Sequence, residues 1–197
     1  MAQNVGNLTS QVSERARDPN QTGTTQANVI LLFSFCQQVV NGVLADVTVQ
    51  DVLPLTARQL IYPIFANMPD SVRVLAVRDA SERDLQPFGE FAGLGNVKNS
   101  WPSSYSDTPR SYAPCGRDLL IIYPGPTGTP ILTVISAALT TALTLPAQTT
   151  QVTNDSDDAV MDLCEVLLLL KARDIPDCQK IIERFKNRMA ALETEPK

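Results

Sequence analysis

The spacing of apolar positions changes twice along the chain, and the changes divide it into three stretches. In the first, Val5, Leu8, Val12 and Ala16 recur at intervals of three and four, the stripe of an amphipathic helix. Asp18-Pro19-Asn20 and then Gly23 stop it. A second helix is predicted from about Thr25 to Leu44. Val29, Leu32, Phe33, Cys36, Val39, Val40, Val43 and Leu44 cover one broad face, and Ser34, Gln37, Gln38 and Asn41 lie mostly on the other. No charged residue stands between Asp18 and Asp46. A helix polar only through amides and hydroxyls is expected to be covered on most sides, by its own chain or by a neighbouring subunit.

From Asp46 to Thr153 the pattern shortens to β-prone runs punctuated by Pro, Gly, Thr and Ser. Strands are predicted within Asp46 to Leu55, Val72 to Val77, Leu119 to Tyr123 and Ile131 to Ile135, from length, β-branching and flanking breakers. Pro124-Gly125-Pro126-Thr127-Gly128 suggests a hairpin-like reversal between the last two, and Met68-Pro69-Asp70 a turn. Residues 83–97 read as a short helical turn around Phe88 and Phe91, and Asn96 to Pro114 as a long loop.

Helical periodicity returns at the C-terminus. Asn154-Asp155-Ser156 offers N-caps, and Asp157 and Asp158 put negative charge at the positive end of the helix dipole. The run to Leu170 is apolar apart from a few residues such as Asp162 and Glu165. Pro176 can sit in the first turn of a last helix. There Cys178, Ile181, Ile182, Phe185, Met189 and Leu192 form a narrow stripe opposite Lys180, Glu183, Arg184, Lys186, Asn187 and Arg188. The expected fold is α+β. Residues 1–45 and 154–197 form a small helical bundle, and a β-rich module of residues 46–153, sandwich or barrel-like, is inserted into it.

Composition narrows the function. The 197 residues carry 16 basic and 21 acidic side chains, a net charge of −5, which argues against a general nucleic-acid binder. There is no histidine, which removes Ser-His-Asp and Cys-His sites and histidine metal sites. Cys36, Cys115, Cys164 and Cys178 lack zinc spacing and read as free thiols, two of them in apolar runs. Asp155 to Asp158 read as helix capping rather than a cation loop, because no glycine bend interrupts them. Pro124 to Gly128 lacks the lysine and the backbone donors of a phosphate loop. The N-terminus lacks the features of a signal peptide, and the longest apolar runs are five residues. A soluble protein with no membrane partner, no cofactor and no metal is expected. The basic face of the last helix is either a solvated face or a docking surface for an acidic neighbour, with nucleic-acid contact a third reading. Trp101, Tyr105 and Tyr112 are interface candidates, with pinning of their own loop as the alternative.

Several short motifs follow one another in a particular order. They are Arg17-Asp18-Pro19, Tyr62-Pro63, Met68-Pro69-Asp70-Ser71-Val72-Arg73-Val74, Trp101, Pro109 to Tyr112, Leu119 to Pro126, Asp157-Asp158-Ala159, and a final helix around Phe185 and Arg188. Over nearly the whole chain this order resembles the head-to-tail adaptor, or neck, proteins of tailed bacteriophages. Where those proteins usually carry a Tyr-x-Leu-Pro-like run, this chain has Tyr62-Pro63-Ile64.

The resemblance implies a structural virion protein and not an enzyme. Its copies would form a homo-oligomeric ring, twelve being the expected number, beneath the portal protein. The ring would extend a channel through which genomic DNA passes without specific binding, and would offer a platform to a tail protein of the nozzle or neck. The implied location is the head-tail neck of the virion, assembled in the bacterial host cytoplasm. Because the C-terminal segment of such proteins often reaches the portal, Lys180, Arg184, Lys186 and Arg188 become portal-docking candidates. Reversing Arg184 and Arg188 to Glu is then expected to weaken docking without unfolding the subunit. Two other readings remain: a virion decoration or receptor-binding protein acting through residues 46–153, and a hydrolase using paired carboxylates.

Overall fold

A computed structural model describes residues 4–17, 24–88, 101–115 and 118–194, the side chains of Phe65 and Trp101 excepted. The chain is mixed α+β, and it divides into two compact units, residues 1–47 with 140–197 and residues 48–139.

The first unit holds α1 (Val5–Arg15) and α2 (Gln26–Leu44). The Asn4 side chain caps α1 by accepting from the Gly6 N–H at 2.8 Å. Thr25 precedes α2 in extended backbone, and Ala45 closes it in the left-handed region at φ 56°. The α1 stripe of Val5, Leu8 and Val12 is fully buried, as are Phe33, Cys36 and Val40 of α2. These side chains share one core with Ala159, Val160, Cys164 and Leu168 from near the C-terminus. By length and composition α2 could cross a bilayer, and its buried face is occupied by this core.

Residues 140–153, grouped with the strands on composition, pack in this unit. Leu143 and Val152 are buried in the helical core. Backbone bonds from Val5 N to Gln148 O and from Gly6 N to Pro146 O, both 2.9 Å, tie the segment to the start of α1.

The second unit opens with β1 (Thr48–Pro54), β2 (Ile61–Pro63), the one-turn α3 (Ile64–Asn67), β3 (Ser71–Arg78) and β4 (Gln86–Pro87). A 3₁₀ turn at Trp101–Ser103 leads to β5 (Tyr105–Ser106), β6 (Ser111–Cys115), β7 (Leu119–Tyr123), β8 (Gly125–Pro126) and β9 (Ile131–Ala138). The strands form sheets of order β1-β9-β3 and β2-β7-β6-β4, with β5 and β8 paired separately. Leu53, Val77, Leu132 and Val134 of the first sheet meet Tyr62, Tyr112, Leu120 and Ile122 of the second in one core.

Three expectations about this stretch are corrected. Pro124 to Gly128 does not close a hairpin, because β7 and β9 belong to different sheets and β8 pairs in parallel with β5. Residues 83–88 are extended, with Asp84 bridged to Arg78 and β4 lying beside β6, while residues 89–97 lie outside the described residues. The stretch read as a loop to Pro114 contains β5 and most of β6.

Two more helices complete the first unit, α4 (Asn154–Ala172) and α5 (Ile175–Thr194). Thr153, and not residues 154–156, is the N-cap of α4. Arg173 turns left-handed at φ 62°, and α5 starts two residues on with Pro176 in its first turn. Phe33 and Phe35 stand two residues apart on α2 yet differ completely, at 0 % and 57 % exposed. Phe33→Ala is expected to cost about 3–5 kcal/mol, and Phe35→Ala within about 0.5 kcal/mol of nothing, in urea unfolding of the isolated chain.

Candidate functional site

The outward side of α2 is the least expected surface of the helical unit. Leu31, Phe35, Val39 and Val43 are exposed at 55, 57, 39 and 36 %. Spaced by four, they lie along one ridge of the helix. Two of the amides predicted to face outward, Gln37 and Asn41, are buried instead. Gln37 Oε1 accepts from the Gln151 N–H at 3.1 Å, and Asn41 Oδ1 accepts from the Val47 N–H at 2.8 Å. Ser34 Oγ accepts from the Leu143 N–H at 2.9 Å. The polar side chains of α2 therefore hold the chain segments that cross it, and its uncharged apolar residues are left toward solvent. Val39 and Val43, expected on the buried face, are part of that stripe.

The basic face of α5 has a second role. Asp158, Asp162 and Glu165 stand at i, i+4 and i+7 on α4, and Arg184 and Arg188 at i and i+4 on α5. The Asp162 carboxylate is fully buried. It receives Arg184 at 2.7 Å, Arg188 Nε at 3.1 Å and Arg15 of α1 at 3.6 Å. Arg184 also reaches Glu165 at 2.7 Å, and Arg188 reaches Asp158. Burying one carboxylate among three guanidinium groups is tolerable because its charge is compensated on both oxygens.

Two of the portal-docking candidates, Arg184 and Arg188, are ion-paired within their own chain, so reversing them is expected to disturb the fold as well as any docking. Lys180 is exposed and pairs with Asp177 at 3.2 Å. Lys186 is exposed and, among the described residues, has no carboxylate at ion-pair distance. The clue in the sequence was the pair of acids inside the apolar run of α4, which need partners at matching helical spacing.

Of the aromatic candidates, Tyr112 is corrected. It is 5 % exposed in the core of the second unit, and its hydroxyl donates to the Leu75 carbonyl at 3.0 Å. Tyr105 is 40 % exposed and donates to the Pro102 carbonyl at 3.2 Å. The backbone of Trp101 opens the 3₁₀ turn, and its side chain lies outside the described residues.

Asp157, in the first turn of α4, is the carboxylate with the clearest perturbation. Burial pushes its pKa up to about 6, Thr150 opposes this by donating a hydrogen bond at 3.1 Å, and Asp158 and Asp46 add to it. The second oxygen has no hydrogen-bond partner among the described residues. A general acid of that strength would need to meet a substrate, and this one is sealed from solvent.

The four cysteines are free, and Cys36, Cys164 and Cys178 are buried. The Cys164 thiol, hydrogen-bonded with Cys36 and buried, is pushed far up, the opposite of a reactive thiolate. In the second unit a cleft of about 540 Å³ is lined by Asp79, Arg83, Asp84, Arg110 and their neighbours. Asp79 Oδ1 accepts from two backbone N–H groups of its own turn, and Asp84 pairs with Arg78. No group of three or more potential metal ligands occurs among the described residues. No protein-family model matches the sequence, and no curated protein shows significant similarity to it.

Two outcomes follow. Asp157 binds its proton more tightly folded than unfolded (about 6 against 3.8), so its contribution to stability is full below pH 3.8 and lost as pH rises through 6. Asp157→Asn is expected to be more stable than the parent at pH 7, by on the order of 2–3 kcal/mol, and to flatten that pH window in chemical denaturation. Arg184→Glu with Arg188→Glu leaves the buried Asp162 carboxylate only the more distant Arg15 and adds two more charges of its own sign. A loss of at least about 3–5 kcal/mol is expected, read as collapse of the helical signal in circular dichroism.

Proposed function

We propose that this protein is a structural subunit that assembles with copies of itself into a ring at the head-to-tail junction of a tailed bacteriophage. In this reading both chain ends form a helical bundle, the strands between them form an inserted module, and the ring sits beneath the portal as a channel extension and tail platform. The uncovered stripe on α2 is the observation that carries it. Four large apolar side chains in a row, on a helix without a single charge, are costly to leave in water and suit permanent contact with protein.

Repeated modest contacts between identical subunits are strengthened by ring closure. The net negative charge fits a channel wall that repels a phosphate backbone and lets it slide. For the portal, the remaining cationic candidates are Lys180 and Lys186, on the solvent side of α5, because Arg184 and Arg188 already balance Asp162, Glu165 and Asp158.

The test is electron microscopy of the purified protein mixed with its cognate portal. A ring stacked on the portal is expected. Lys180→Glu with Lys186→Glu should reduce the stacked fraction several-fold while leaving the circular dichroism spectrum unchanged. Portal particles that carry no added density at saturating protein would refute the reading.

A further inference from the structure

The segment that leads into α4 is fastened to the helical unit at two neutral points. The Leu143 N–H donates to Ser34 Oγ at 2.9 Å, and the Leu143 side chain is buried. The Gln151 N–H donates to Gln37 Oε1 at 3.1 Å, beside the buried Val152. Between these anchors residues 144–150 form a short strap. Gln148 Oε1 ties it together by accepting from the Thr144 and Leu145 N–H groups at 2.7 and 2.8 Å. Its Gln148 and Pro146 carbonyls accept from the Val5 and Gly6 N–H groups at the start of α1. The fit is close, since a Cβ added at Gly6 would stand 3.1 Å from Pro146 Cβ. At its far end the strap donates from Thr150 Oγ1 to Asp157 Oδ2 on α4.

Asp157 is fully buried, and among the described residues no cation pairs with it. The charges of its own helix near it are Asp155, which is exposed, and Asp158, which is paired with Arg188 of α5. The turn after α2 brings Asp46, which accepts from Thr153 at 3.0 Å and from Ser156. The strap and α2 carry no charge, and the charges of α1, Glu14 and Arg15, stand at its far end. An ionised Asp157 therefore has one hydroxyl to offset its burial and two carboxylates for neighbours, whereas a proton removes the charge altogether.

We propose that residues 144–150 are a proton-operated strap: with a proton on Asp157 they stay closed over the start of α1, and loss of that proton loosens them while the two neutral anchors hold. The device stands independently of the ring reading. Its sign follows from the raised acidity constant of the closed state, so closure is favoured at low pH and lost as pH rises through about 6. With the ordinary value of 3.8 in the loosened state, the strap is open about ten times more often at pH 7.5 than at pH 5.

The experiment is residue-resolved amide hydrogen exchange by NMR on the full chain from pH 5 to 7.5, corrected for intrinsic exchange rates, with the Asp157 carboxyl carbon titrated in the same samples. Protection of the Val5 and Gly6 amides is expected to fall about tenfold across this range, with its midpoint at the carboxyl titration, while the Leu143 and Gln151 amides keep theirs. In Asp157→Asn the Val5 and Gly6 amides should stay protected at both ends of the range. An equal fall at all four amides would show a loss of global stability and no strap. Unchanged protection of Val5 and Gly6 in the parent, or the same fall in Asp157→Asn, also overturns the proposal. Should the variant not fold, the parent decides alone: an Asp157 carboxyl that titrates below pH 5, away from the change at Val5, overturns it.

Discussion

The helical unit depends on one buried charge. Asp162 lies in the interior of α4, where an ionised carboxylate is tolerable only with cations held against it. Those cations come from α1 and α5, so a single carboxylate joins elements drawn from both ends of the chain. Apolar packing of Val5, Phe33 and Cys164 supplies much of the attraction, but it is non-directional. The three guanidinium groups add direction, because α5 can lie on α4 only in the register that brings Arg184 and Arg188 to Asp162, Glu165 and Asp158.

This arrangement bears on what α2 is left to do. Its inward face is filled by the other helices, its buried amides Asn41 and Gln37 hold residues 47 and 151, and its Ser34 hydroxyl holds residue 143. Among the described residues the apolar outward face has no such role. A monomer selected only for solubility gains nothing from Leu31 and Phe35 in water. A subunit built to meet its sisters does, and the absence of charge from the whole helix removes any repulsion between identical copies.

Much of the helical structure was legible in the sequence. The stripes of α1 and α5 are sharp, with apolar residues at three and four and polar residues between, and caps and breakers mark their ends. The orientation of α2 was not legible. Apolar residues surround it almost completely, so periodicity cannot tell which side faces inward, and Gln37 and Asn41 resemble surface residues until their backbone partners are known. Strand positions were readable from β-branched runs such as Leu119 to Tyr123, but strand partners were not. Pairing β9 with both β1 and β3 is a long-range choice that no local signal records, and the turn-rich Pro124 to Gly128 pointed to a hairpin the fold does not make. The ion cluster was readable in principle, since acids at i, i+4 and i+7 answer bases at i and i+4. Reading the bases alone as a docking face missed it.

The central claim is that the α2 stripe is exposed in the single chain and covered in the assembled particle. Carbene footprinting, which labels side chains by their accessibility, reads this directly at Leu31, Phe35, Val39 and Val43. The account predicts strong labelling of these four in the free chain and loss of most of it in purified virus particles or reconstituted portal complexes. Labelling of the four that is equally strong in both states would contradict it.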